Sequence, residues 1–299
     1  MLLRALILFC ALLGWGCSQN GEPTLRIGTN VWPGYEPLYL SRQLGSLDSN
    51  RIRLIEYTST SQVMKAYRSG LIDAAAVTLD EAISLQAAGE DVRVVLVMDV
   101  SDGADALIAQ SDMQRLEDIE GKRIGVEHSA LGAYLISRII EKAQLDESQL
   151  QIVPLEVNRH QRAFVNGQVD AVVTFEPALS RLREAGGQVL FDSSQIPGEI
   201  VDVLIVRADR LAQFSGQVKY LKNVWFEVIE QITKSPQMHL ENLNSRLRLE
   251  EKDARAAFSA IRFPDRTDNQ RMLSEDGKNN LLQLSRKMAK LMHEHRLIE

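Results

Sequence analysis

Strand-like runs and helical windows take turns along the first two hundred residues of this chain. Leu25 to Asn30, Arg51 to Tyr57, Ala74 to Thr78 and the continuous apolar run Val92 to Met98 predict strands. Between them, Pro37 to Leu44, Gln62 to Ser69 and Glu81 to Ala88 predict helices that stop at Gly45, Gly70 and Gly89. This alternation indicates parallel βαβ units. Asp99 to Asp105 breaks the pattern, and Ala106 to Ala109 resumes it as a strand. Leu116 to Val126 opens a second lobe, and further strands are expected over Gln151 to Leu155, at Val189 to Phe191 and over Val201 to Val206. The helix after His128-Ser129 carries Leu131, Leu135, Ile136, Ile139 and Ile140 on one face, and a shorter one covers Gln161 to Val165. From Ala208 onward only helical periodicity remains, over Val218 to Thr233, Met238 to Leu247, Lys252 to Ile261 and Lys278 to His295.

One segment occurs twice. Gly70-Leu71-Ile72-Asp73 followed by Ala74 to Thr78 and Asp80 returns as Gly167-Gln168-Val169-Asp170 followed by Ala171 to Thr174 and Glu176. Each copy reads turn, short apolar strand, Thr at the strand's exit, then an acid in the first turn of a helix. Ligands of open α/β sheets bind outside the carboxyl ends of the strands, where such exits cluster. Two copies far apart predict two α/β lobes facing a shared cleft, with crossings near Asp99–Asp105 and Ser194–Asp202. The plainer alternative is two ordinary strand-helix units in which Thr and acid serve as caps.

The N-terminus changes the picture. Arg4, the apolar run Ala5 to Leu13 and the small residues before Cys17 describe an export signal, too short to span a bilayer. Cys17 directly after Gly16 resembles the lipobox of bacterial lipoproteins, although Leu13 and Trp15 depart from its usual pattern; ordinary cleavage beside a stray Cys is the competing reading. The expected division is a signal over 1–16, a lipid-anchored tether over 17–24, first-lobe segments over 25–103 and 201–299, and a second lobe over 104–200. Cys10 leaves with the signal, so no thiol remains for disulfides, cysteine catalysis or a cysteine metal site. Net charge is −6, or −7 without Arg4, which argues against nucleic-acid partners.

Ile27 to Pro37, Tyr67 to Ala74, Gly121 to Glu127 and Gly167 to Ala171 resemble solute-binding proteins of ABC importers in the nitrate/sulfonate/taurine/thiamine-precursor superfamily. The resemblance covers Leu25 to Arg207. It implies the type II periplasmic binding protein fold: an α/β molecule with two lobes, two hinge crossings and a helical C-terminal tail on the first lobe. It also implies a monomer that delivers a small solute to a permease and its ATPase from the periplasmic face of a bacterial membrane.

Candidate ligand contacts follow from the predicted strand ends. Asn30, Trp32 and Tyr35 lie past the first strand, where aromatic rings suit a planar or apolar ligand part. Thr60 and Ser61 cap a helix whose free N–H groups could also hold an anion. Thr78, Asp80, Thr174 and Glu176 occupy the repeated exits. Asp99 and Ser101 sit at the expected hinge, together with Asp102 and Asp105. His128 and Ser129, and Asn158 and Arg159, precede helix starts, while Glu127 reads as an ordinary surface residue. The acids outnumber the bases here, so an amine-containing or zwitterionic solute fits better than plain nitrate or sulfonate. The five His form no metal or triad pattern, and no cofactor is expected. The alternatives are a ligand-sensing lipoprotein partner of a membrane signalling receptor, and a biosynthetic enzyme on the same fold.

Overall fold

A computed structural model describes residues 22–275 and 280–299. The signal, Cys17, most of the tether and the start of the last predicted helix at Lys278 lie outside the described residues. In chain order the strands are β1 (Leu25–Thr29), β2 (Ile52–Glu56), β3 (Ala74–Thr78), β4 (Val92–Ser101), β5 (Asp105–Ala109), β6 (Arg123–Val126), β7 (Gln151–Pro154), β8 (Ala171–Phe175), β9 (Gln188–Asp192), β10 (Val201–Arg207) and β11 (Ile261–Arg262). The helices are α1 (Glu36–Gln43), α2 (Thr60–Arg68), α3 (Leu79–Ala87), α4 (Ala130–Ala143), α5 (His160–Val165), α6 (Ala178–Glu184), α7 (Ala208–Leu211), α8 (Ser215–Lys234), α9 (Pro236–Asn244), α10 (Glu251–Ser259), α11 (Arg266–Leu273) and α12 (Leu281–Glu294).

Two sheets result, in the orders β11-β4-β10-β3-β1-β2 and β7-β6-β8-β5-β9. The βαβ units give parallel pairs β1/β2, β1/β3, β6/β7 and β6/β8. Both sheets also contain antiparallel pairs and are therefore mixed. β5 enters the second sheet antiparallel to β8 and β9, and β10 enters the first antiparallel to β3 and β4. These are the strands that follow a passage from one sheet to the other, so each arrives in the reversed direction.

The two halves repeat in detail. Asp73 accepts from the backbone N–H of Arg26 at 3.1 Å and from its guanidinium at 2.7 and 2.9 Å. Asp170 holds Arg123 in the same way, at 2.8, 3.0 and 2.6 Å. The repeated Gly-x-x-Asp entry is therefore a clamp between neighbouring strands, remote from the strand exits. β3 and β8 are buried along their whole length, which explains their unbroken small apolar sequences.

Several boundaries differ from the sequence reading. β4 continues through Asp99, Val100 and Ser101 because β10 and β11 supply ladder partners that outweigh its polar end. Ile261 leaves its predicted helix to form β11, and α11 has no counterpart in the periodicity. Within the expected capping run Ser59-Thr60-Ser61, Ser59 is the N-cap residue of α2, and Thr60 and Ser61 open its first turn. In the tail, α8 and α9 pack on α1, α11 on β4 and α12 on α3. Among the described residues, no helix is long and apolar enough to cross a membrane.

Candidate functional site

Strand register builds the site. Asp202, near the start of β10, lies opposite Thr78 at the end of β3 and opposite Asp99 on β4. Just beyond β1, Trp32 directs its indole N–H at both oxygens of Asp99, 3.3 and 3.2 Å away. Tyr35 donates its hydroxyl proton to Asp202. In the second sheet Asp105 opens β5 opposite Phe175 on β8. The Phe175 ring meets Trp32 edge-on with centroids 5.8 Å apart, joining the two lobes.

These residues enclose a cavity of about 20 Å³. The first lobe contributes Asn30, Trp32, Tyr35, Thr60, Thr78, Glu81 and Asp202, and the second contributes Asp105, Leu131 and Phe175. Such a space holds about one water molecule. A solute can occupy it only if the lobes separate or the lining rearranges.

Glu81, Asp105 and Asp202 make the lining acidic, with Asp80 and Asp99 next to them in sequence or register. Asp80, Glu81, Asp99, Asp105 and Asp202 are all buried, and no Lys or Arg lines the cavity. Burial pushes Asp105 up to about 8 and Asp202 up to about 6. It pushes Asp80 up to about 7, with a partial offset from nearby Thr78 and the Asp80 amide. Burial and the neighbouring Asp202 raise Asp99 well above the usual carboxylate range, and burial with Asp80 does the same for Glu81. Burial leads in every case, because a charge removed from water without a counter-ion favours its neutral form, and a neighbouring carboxylate adds to it at Asp99 and Glu81. Both oxygens of Asp80, Glu81 Oε1, Asp105 Oδ2 and Thr78 Oγ1 are buried without a hydrogen bond of ordinary geometry. Unpaired buried acceptors are costly, and those of Glu81, Asp105 and Thr78 belong to residues that line the cavity.

The second repeat copy behaves differently from the first. His160 Nε2 lies 2.9 Å from the carbonyl of Leu155, which can only accept, so this nitrogen carries the proton. Nδ1 is then the acceptor, and Thr174 donates its hydroxyl to it at 3.0 Å. Glu176 accepts from the backbone N–H and hydroxyl of Ser180 at 3.1 and 3.0 Å. It lies two residues ahead of α6 instead of in its first turn. Thr174 and Glu176 thus have partners inside the second lobe, and Phe175 between them reaches the cavity.

The remaining candidates divide. Ser101 Oγ lies 2.7 Å from Ser193 Oγ, tying one crossing segment to the other. Ser129 caps α4 by accepting from Gly132 N at 3.1 Å. His128 is exposed and lines an outer groove with Ser129. Asn158 and Arg159 are exposed beside Arg162, away from the cavity. Glu127 is the opposite of a surface residue, at 4% exposure. Its Oε1 accepts from Ser61 N at 3.1 Å and from Ser61 Oγ at 2.9 Å, a carboxylate from one lobe held at a helix N-terminus of the other.

Glu81, Leu131, Phe175 and Asp202 line the cavity without having been singled out by sequence, and Asp105 does so as well as marking the crossing. An acid set in a buried apolar strand is an available signal for Asp202. Thr78-x-x-Glu81 is a capping-box spacing, and Thr78 N does donate to Glu81 Oε2 at 3.1 Å. Among the described residues, no three His, Cys, Asp or Glu side chains converge in a metal-holding group.

A family model described as NMT1/THI5 like matches residues 37–237. The taurine-binding periplasmic protein of Escherichia coli strain K12 is 27% identical over 160 residues, covering 48% of this chain and 50% of that protein. The chain thus spans about half the length of this curated relative. The alkanesulfonate-binding protein of Xanthomonas axonopodis pv. citri bound to MOPS superposes with a TM-score of 0.78 at 18% identity, covering 93% of this chain and 94% of that one. The periplasmic aliphatic sulphonate binding protein of Escherichia coli gives 0.70 at 19% identity, covering 92% and 93%. These likenesses establish the fold: two α/β lobes with mixed sheets, as in periplasmic binding proteins.

Proposed function

Because this chain belongs to the NMT1/THI5-like family, we propose that it is the solute-binding component of an ABC importer, closing its lobes on a small solute with an ammonium-type cationic group. One observation carries the choice of solute: buried carboxylates with unpartnered oxygens face a cavity that no Lys or Arg lines. The lining has no organised nucleophile and base, which favours capture over catalysis. Taurine, which names one relative, combines an ammonium group with a sulfonate, so a zwitterion of that kind suits the acidic floor better than a plain sulfonate. Closure follows if the solute binds the closed arrangement better than the open one.

Calorimetry and thermal-shift screening of small amines, aminosulfonates and amine-free sulfonates test this reading. An amine-bearing solute at 100 times its dissociation constant should stabilise the protein by about 2.7 kcal/mol. Binding confined to amine-free sulfonates would refute the choice of solute. The same proposal places the protein at the periplasmic face of a membrane through lipid on Cys17. Cys17→Ser should then move it to the soluble fraction, and retention on the membrane would count against the anchor.

A further inference from the structure

Outside the small cavity lies a groove of about 1180 Å³ between the lobes. Its position is set by helices that pass from one space to the other. Thr60 of α2 lines the cavity while Ser61 and Met64 line the groove, and Leu131 of α4 lines the cavity while Ala130 and Ala133 line the groove. Glu81 and Ser84 divide in the same way on α3, which packs against α4. At the partition, Ser61 donates to Glu127 Oε1, and Glu127 Oε2 is buried without a partner. Beyond it, Ala130, Ala133, Ile136 and Ile140 form one face of α4 at helical spacing, with Met64 across from them.

We propose that the groove is the second half of the solute site and takes the apolar body of an amine whose charged head lies among the cavity acids. This rests on the cationic-solute reading above and extends it to a chemical class: elongated amines with an aliphatic or aromatic body. The occupant is argued from continuity. Ser61, held by Glu127 and Glu156 of the other lobe, stands between an acidic chamber too small for more than a head group and a groove large enough for a body, apolar along α4 and Met64 and rimmed by Lys65, Arg68 and Glu141. Parting those contacts joins the two and leaves the unpaired Glu127 Oε2 at the junction to meet a donor beside the head group.

The test is a series of primary n-alkylamines, from methylamine to octylamine with benzylamine added, titrated into the purified protein by calorimetry. Affinity should rise about fourfold for each methylene lodged in the groove. Ala133→Trp, which fills the trough from the α4 face, should abolish that rise; its thermal melt by circular dichroism separates a folding defect from a blocked groove. Amines that bind with no dependence on chain length would overturn the groove assignment and leave the cationic-solute reading standing. A chain-length gain that survives in a folded Ala133→Trp protein would place the body elsewhere, also against the proposal. If no amine binds at all, the underlying reading fails and this one with it.

Discussion

Trp32 holds Asp99 through its indole N–H while its ring edge meets Phe175 of the opposite lobe. One side chain therefore touches both the acidic floor and the closure contact. Burial at 4% exposure makes it a packing element as well.

Trp32→Ala should lower stability and solute affinity together. Removing a buried aromatic costs about 3–5 kcal/mol of folding free energy. Trp32→Phe keeps a smaller ring toward Phe175 and removes the donor to Asp99; the lost donor alone accounts for about 1–3 kcal/mol. Urea denaturation and calorimetry on both variants separate the two roles. If affinity is untouched in both, Trp32 is a structural anchor alone.

Gly34→Ala should disturb the same contact without deleting any atom of it. A Cβ at Gly34 would collide with Asp99 Oδ2 and Trp32 Nε1. The flanking Pro33 and Tyr35 are both buried, so the turn has little room to move away. The expected cost is about 1–3 kcal/mol in stability, read by chemical denaturation. A wild-type midpoint would mean that the Trp32–Asp99 pair shifts freely.

Most of the alternation of elements was legible because strand and helix periods are local properties. The mixed sheets were not, since the direction of β5 and β10 depends on which sheet the chain has just left. The site shows the same division. Trp32, Tyr35 and Thr78 could be picked out because they stand at strand ends, and structure places all three around the cavity. The internal repeat misleads for Thr174 and Glu176, whose sequence context matches the first copy while His160 and Ser180 take their polar groups. Glu127 carries no local signal at all: its hydrogen-bond partner Ser61 is far away in sequence and in the other lobe.

Arg246 should matter to folding and little to binding. It pairs with buried Glu36 at 2.7 Å, also meets Glu56, and stacks 3.2 Å above the Tyr39 ring, fastening the segment after α9 to α1. Burial pushes Glu36 up to about 8 even with this partner. Without Arg246, Glu36 protonates further instead of standing as a bare charge, so Arg246→Ala should cost about 3 kcal/mol, the low end for a broken buried pair. Adding Glu36→Gln to that variant should cost little more. A double-mutant cycle by urea denaturation checks this, and strict additivity of the two changes would contradict the coupling.

The acidic floor predicts opposite pH responses for the free protein and for solute binding. Aspartates titrate near 3.9 in an unfolded chain, whereas Asp202, Asp80 and Asp105 are raised to about 6, 7 and 8 in the fold. Asp99 and Glu81 are shifted in the same direction. Below about pH 4 these raised acids are protonated in both states and their own contribution to stability is complete. As pH rises, the unfolded chain releases these protons first, so unfolding becomes easier until about pH 8. Asp73, where Arg26 outweighs burial, and Asp170, held by Arg123, are lowered instead, and their contribution fades only on acidification below about pH 4. An ammonium-bearing solute favours the ionised floor, so its affinity should rise between pH 5 and pH 8. Binding near pH 6 should then release protons, detectable by calorimetry as a heat that changes with the ionisation enthalpy of the buffer. Proton uptake, or a heat independent of buffer, would mean that these carboxylates do not meet the charge of the solute.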